Sequence, residues 1–127
     1  MLSTQMVDME YNLYDIFEKI CVRTGMYIGE QKLSNLRSYI DGYEAAMYSV
    51  KAQNKTAPEF SGFHNWVAEK YGFYESTAGW QNMILAVEMG LPVKEINWEN
   101  YAKEASETQH KQSLVRFFRL VHEFRNA

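Results

Sequence analysis

The side chains best suited to acid–base chemistry in this sequence are its three histidines, His64, His110 and His122. Glu59 and Glu69 lie five residues to either side of His64, so either carboxylate could meet the imidazole around one helix and form an acid–base pair. The same spacing is ordinary for a half-buried histidine on the aromatic side of a helix. A small enzyme that uses His64 with a nearby Glu is therefore an alternative interpretation.

Other reactive arrangements are missing from the sequence. His110 and His122 would lie about 120° apart on one helix and so would not share a metal ion. Cys21 is the only cysteine, and its place in an apolar stripe predicts a buried small hydrophobic residue rather than a nucleophile. No phosphate-binding glycine loop, nucleophile elbow or metalloprotease motif occurs. We expect no catalytic residues, no cofactor and no metal.

Length and composition predict one globular domain over residues 1–127, in which 46% of the residues are apolar. The first residues do not resemble a signal peptide, and no apolar run approaches the ~18 residues of a membrane span. The cytoplasm is the expected location, and no membrane partner is expected. The net charge of −3 argues against a nucleic-acid partner, because such proteins usually carry a basic surplus.

Apolar residues recur every three or four positions along almost the whole chain, which predicts amphipathic helices. We therefore predict an all-α fold, a compact bundle of five to six helices. Two glycines bracket three apolar residues between Gly25 and Gly29, which predicts a tight, partly buried, non-helical connection. Gly42 falls inside a helix, where a missing side chain often lets another helix approach closely. The predicted helices run from Asn12 to Gly25, from Leu33 to Asn54, from Pro58 to Gly72 and from Ser76 or Thr77 to Gly90, followed by one or two helices with a break near Ala105.

The last third of the chain has an uneven distribution of charge. Six acids and two bases lie between residues 75 and 107, whereas four bases and one acid follow. The acidic stretch predicts a face for a basic partner, although a pair of ordinary solvated helix faces would have the same composition. The six acids are Glu75, Glu88, Glu95, Glu99, Glu104 and Glu107.

A likeness to a known class of proteins covers most of the chain. It is carried by Arg23-x-Gly25-Met26-Tyr27-Ile28-Gly29, Leu33-x-x-Leu36-x-x-Tyr39-Ile40-Asp41-Gly42-Tyr43, Phe60-x-x-Phe63-x-x-Trp66-Val67, Tyr71, Ser76-x-x-Gly79-Trp80-x-x-x-Ile84-Leu85 and Phe117-Phe118. This order resembles the small bacterial immunity proteins of contact-dependent growth inhibition systems, which are encoded beside polymorphic-toxin genes. Within it, Arg23, Gly25, Tyr27, Gly29, Gly42 and Trp80 are expected to hold the fold.

The resemblance implies a protein without catalytic residues that binds the C-terminal domain of a cognate toxin, commonly a nuclease, and blocks its active site or a required surface. Nuclease toxins are generally basic, so an acidic face would favour fast and specific association. The expected partner-binding residues are Glu75, Glu88, Glu95, Glu99 and Glu104, with Tyr74 and Trp98 as possible aromatic anchors.

Three interpretations therefore stay open, and each predicts a different surface. A deep pocket that holds His64 with convergent polar groups would favour the enzyme. A flat acidic face without a pocket would favour the toxin inhibitor. A large exposed apolar patch would favour a homodimeric structural or regulatory module.

Overall fold

The computed structural model describes residues 9–74 and 77–127, and within them the prediction of an all-α bundle is confirmed. The only strand pairing among these residues is a parallel pair of two-residue strands. It joins Glu10–Tyr11, before the first helix, to Gln53–Asn54, after the third helix. None of the described helices is both long and apolar enough to cross a bilayer. The elements are β1 (Glu10–Tyr11), α1 (Leu13–Val22), α2 (Thr24–Ile28), α3 (Leu33–Ser49), β2 (Gln53–Asn54), α4 (Phe63–Tyr71), α5 (Trp80–Glu88) and α6 (Glu107–Arg125), with short 3-10 helices at Phe60–Gly62 and Tyr101–Glu104.

Helix α1 begins where the sequence predicts, because the Asn12 side chain accepts a hydrogen bond from the Tyr14 amide at 2.9 Å. Leu13, Phe17 and Ile20 of the predicted apolar stripe are buried, but the buried face includes Tyr14 and not Cys21. Tyr14 is buried and its hydroxyl donates to the Pro58 carbonyl, whereas Cys21 is exposed. The prediction of a buried Cys21 is therefore wrong. The face that enters the core is centred on Leu13 and Phe17, which turns residue 21 toward solvent.

The connection predicted between Gly25 and Gly29 is instead the short helix α2, so that prediction is also wrong. One helical turn satisfies backbone groups that an irregular buried connection would leave unpaired, as in the Gly29 amide donating to the Gly25 carbonyl at 3.0 Å. Gly29 then ends the helix at φ +74°. The expectation for Gly42 fails as well, because Gly42 is exposed and a β-carbon there would meet no atom within 4 Å.

The centre of the core is aromatic and joins α4, α5 and α6. Phe63 is fully buried, with its ring centroid 5.8 Å from that of Trp80 and 5.6 Å from that of Phe117. Trp80 stacks on Phe117 at 4.8 Å and is only 4% exposed, which confirms its predicted place in the core. Rings of this size contribute much of the apolar area that a small domain removes from water.

The predicted break near Ala105 is confirmed. Ser106 and Gln109 form a reciprocal capping box at the start of α6, with hydrogen bonds of 3.0 and 2.9 Å. The segment before the break contains only the 3-10 turn at Tyr101–Glu104, rather than an α-helix capped by Asn97. Tyr101 fastens that turn to α5 through a hydroxyl hydrogen bond to the Asn82 side chain.

Candidate functional site

A groove of about 660 Å³ lies between α3, the start of α4 and the start of α5, and we call it the His64 groove. Helix α3 contributes side chains that lie one helical turn apart. The 3-10 helix at Phe60–Gly62 and the start of α4 line the groove as well, and α5 contributes Trp80, which we call the floor of the groove. The polar and charged residues that line it are Arg37, Asp41, Glu44, Asn54, Glu59, Ser61, His64 and Thr77.

Arg37 is held firmly in this groove. Its Nη1 atom donates to Gln81 Oε1 at 2.8 Å, and its Nε atom lies 3.3 Å from a carboxylate oxygen of Asp41. The guanidinium carbon is 5.4 Å from the centroid of the Trp80 ring. The arginine therefore links α3 to α5 and covers the Trp80 ring. These contacts hold in place the only arginine among the described residues of the groove.

Glu44 occupies a less solvated position in the same groove. Burial raises the pKa of its carboxyl group, and the neighbouring charge of Asp41 raises this pKa further. Hydrogen bonding from Tyr11 and the charge of Arg37 act in the opposite direction. The upward direction means that burial and the charge of Asp41 outweigh the stabilisation that Tyr11 and Arg37 give to the charged form.

The structure separates the two carboxylates that the sequence places near His64. Glu59 lines the same groove as His64, whereas Glu69 is exposed on α4 and does not line it. His64 itself is half-buried. A histidine and a carboxylate therefore share an open cleft, as the enzyme interpretation requires.

A second and shallower groove, of about 400 Å³, brings together three of the residues expected to bind a partner, and we call it the Tyr74 groove. Tyr74 is 84% exposed. Trp98 is half-buried, with its ring centroid 6.0 Å from Phe73 and 5.2 Å from Tyr101. The lining residues are Gly72, Phe73, Tyr74, Thr77, Val93, Lys94, Glu95 and Trp98.

The backbone presents Glu95 to this groove in an uncommon conformation. Its φ angle of +68° lies in the left-handed region, which non-glycine residues adopt at a cost of roughly 1–3 kcal/mol.

Three of the other acidic residues expected to bind a partner, Glu88, Glu99 and Glu104, are described and do not line either groove. Glu88 is half-buried on α5, and its carboxylate lies 2.9 Å from Arg116 Nε, so it is part of an ion pair within the fold. Glu99 and Glu104 are exposed on the segment between α5 and α6. Glu75 lies outside the described residues.

A third groove, of about 560 Å³, lies where the chain enters α3 and α6, and we call it the lysine groove. Lys32 and Lys111 form ion pairs of 3.1 Å with Glu30 and Glu107. The Nδ1 atom of His110 is buried and has no hydrogen-bond partner within the described part of the chain. Burial lowers the pKa of this imidazole, and the charge of Lys32 adds to the effect. Lys103 is the remaining described charged residue that lines the lysine groove.

Sequence reasoning missed Arg37, Asp41 and Glu44. Their spacing of four and three residues places them on one face of α3, which was a readable signal. Nothing in the sequence indicated that Glu59 and Trp80 would face them. Within the two described ranges, no three His, Cys, Asp or Glu side chains are arranged to hold a metal ion.

Comparison of the chain with known protein families, with curated proteins and with solved structures gave no match.

Proposed function

We propose that this chain is a bacterial immunity protein of the cytoplasm, which binds the C-terminal domain of a cognate toxin and neutralises it by covering the active site or a required surface. The sequence resemblance supports this function. The described surface that brings expected residues together is a shallow groove rather than the flat acidic face that was predicted: the Tyr74 groove is lined by Tyr74, Glu95 and Trp98 from the expected set.

The observation that carries the proposal is the exposed ring of Tyr74 beside the half-buried ring of Trp98. Tyrosine and tryptophan are the residues that most often dominate binding energy at protein interfaces. A tyrosine ring that is 84% exposed gains little from its own fold, and its apolar area would leave water only in a complex. The groove thus has one protruding aromatic anchor and one aromatic wall.

The charge around this anchor is suited to a basic partner. Glu95 lines the groove and Glu99 is exposed one residue beyond Trp98, while Lys94 supplies one opposing charge. A nuclease toxin must hold a phosphate backbone and therefore presents cations. Carboxylates at the rim of an interface chiefly increase the association rate and the specificity.

The proposal is tested by producing the chain together with the toxin domain encoded directly upstream of its gene. Cells should survive, and the two proteins should co-purify. Tyr74→Ala should weaken the complex by about 30-fold, which corresponds to a hot spot of about 2 kcal/mol.

Tyr48→Ala is the matched control, because Tyr48 is 86% exposed and lines neither groove. Its affinity should equal that of the unchanged chain. Killing of cells that produce the unchanged chain, together with a failure to co-purify, would show that the proposed function is wrong.

One observation favours a second candidate, an acid–base enzyme centred on His64. The imidazole and the Glu59 carboxylate line one open cleft together with Asn54 and Ser61, which is the setting that general acid–base chemistry needs. Assay of the purified chain against ester, amide and phosphodiester substrates tests this candidate. Turnover that is lost in His64→Ala but retained in His122→Ala would favour the enzyme over the inhibitor.

A further inference from the structure

The His64 groove and the Tyr74 groove meet at one residue. Thr77 is exposed and lines both of them, at the start of the segment that leads into α5. The two grooves therefore adjoin each other at this threonine. One extended peptide segment is a ligand that could occupy both.

We infer that the partner-binding surface continues from the Tyr74 groove across Thr77 into the His64 groove, where it receives an arginine or lysine side chain of the toxin domain. This inference rests on the proposed function and specifies the chemistry of the partner. The Tyr74 groove supplies aromatic anchors, and the His64 groove supplies the negative charge.

The charges of the His64 groove select a cation. Among the described residues that line it, the three carboxylates of Asp41, Glu44 and Glu59 outnumber the single guanidinium of Arg37. Arg37 already directs its donors at Asp41 and Gln81. Glu44 and Glu59 are therefore the carboxylates with which an incoming cation would pair.

The floor and wall of the groove suit a long cationic side chain. Phe60 is half-buried there and offers apolar surface to a methylene stem. The face of Trp80 is already covered by Arg37, so the incoming charge would meet carboxylates rather than an aromatic ring. Burial is the main reason that the pKa of Glu44 is raised, and the charge of Asp41 adds to it; a cation bound beside this carboxylate would act in the opposite direction.

The Tyr74 groove alone does not provide this selectivity. Among the described residues, its charged lining consists of Lys94 and Glu95, which carry opposite charges. The lysine groove has the opposite sign, with three lysines against two glutamates. Among the three, the His64 groove is the one whose charge complements a basic segment.

Three tryptophans allow the inference to be tested on the full chain by NMR. Trp80 lines the His64 groove, Trp98 lines the Tyr74 groove, and Trp66 lines neither. The probe is a twelve-residue peptide of four Arg-Leu-Gly repeats, which spans up to about 40 Å when extended. The same peptide with Glu in place of Arg is the control.

We expect the indole N–H signals of Trp80 and Trp98 to shift with one common midpoint as the basic peptide is added. The Trp66 signal should stay in place, and the acidic peptide should move none of the three. A shift of Trp98 alone would overturn the extension into the His64 groove while leaving the Tyr74 groove as a binding site. A shift of Trp80 alone, equal shifts of all three, or no shift would also overturn the inference.

A pair of charge-matched variants completes the test. Glu44→Gln with Glu59→Gln should weaken binding of the basic peptide at least tenfold. Glu30→Gln with Glu107→Gln changes the net charge equally but alters only the lysine groove, and it should leave the affinity within twofold. Equal weakening by both pairs would show that overall charge, rather than the His64 groove, holds the peptide. Protection against the toxin, measured separately, tests the proposed function itself.

Discussion

The His64 groove and the lysine groove are similar in volume, about 660 and 560 Å³, but differ in how their charges are compensated. In the lysine groove, Lys32 and Lys111 each have a carboxylate at 3.1 Å. In the His64 groove, the described carboxylates outnumber the one guanidinium, which is held by Asp41, by the amide of Gln81 and by the ring of Trp80. Local pairing leaves little charge for a partner, whereas an uncompensated set favours a ligand of opposite sign.

The two grooves also differ in their support. The floor of the His64 groove is Trp80, which stacks on the core residue Phe117. The lysine groove is built around the start of α6, beside the capping box of Ser106. A site built on packed core is held in place by many contacts, while a site at a helix end depends mainly on a cap.

The largest effect that would test this difference is the loss of the aromatic floor. Trp80→Ala should lower the free energy of unfolding by about 3–5 kcal/mol, because it leaves a cavity against Phe117 and Phe63. Ser106→Ala, at the lysine groove, should cost only about 1 kcal/mol. Urea unfolding followed by circular dichroism measures both. Similar losses in the two variants would contradict the contrast in support.

An intermediate effect is expected at Arg37. Arg37→Met removes the hydrogen bond to Gln81 and the cover over Trp80, and should destabilise the chain by about 1–3 kcal/mol. The same change makes the groove more negative, so the basic peptide should bind more tightly, by roughly threefold. Calorimetric titration and urea unfolding measure the two effects.

Lys103→Met provides the comparison for Arg37, since it removes one cation from the lysine groove. It should change the stability by less than about 0.5 kcal/mol and leave peptide affinity unaltered. Weaker binding of the basic peptide by Arg37→Met would contradict the inference that the negative charge of the groove attracts the peptide.

The smallest effect concerns the titration of Glu44. Its folded pKa is raised above the usual value of 4.5, mainly by burial and then by Asp41, so the native state binds more protons than the unfolded state between those two pKa values. The free energy of unfolding attributable to this group therefore falls as the pH rises through that window. Glu44 costs stability at neutral pH, and this cost is absent below the window.

Glu44→Gln should accordingly be more stable than the unchanged chain at pH 7, and the difference should vanish in acid below the usual pKa. Glu107→Gln, at an exposed carboxylate paired with Lys111, should show no such pH-dependent gain. Thermal unfolding across pH 3–8 measures both variants. If Glu44→Gln were less stable than the unchanged chain at pH 7, the contacts of the charged carboxylate would stabilise the fold by more than its burial destabilises it.

Part of the candidate site could be read from the sequence because it depends on one short segment. The sequence predicted that Tyr74, Glu95 and Trp98 belong to one binding region. They line one groove because all three lie within 25 consecutive positions, between which the chain folds back on itself. Nothing in the sequence indicated that Glu88 would pair with Arg116, which lies 28 positions later. A run of acidic residues in the sequence does not show which of them form ion pairs with residues from distant parts of the chain.

What the sequence determined by itself is the set of helices and several of their ends, because these depend on neighbours within four residues. Asn12, Gly72 and the pair Ser106–Gln109 end or begin helices through hydrogen bonds and backbone angles that are local. Only the tertiary structure decided that Cys21 faces solvent, and that Arg37, Glu59 and Trp80 meet in one groove. Those outcomes depend on how helices rotate and pack against one another, and the spacing of residues along a single helix does not contain that information.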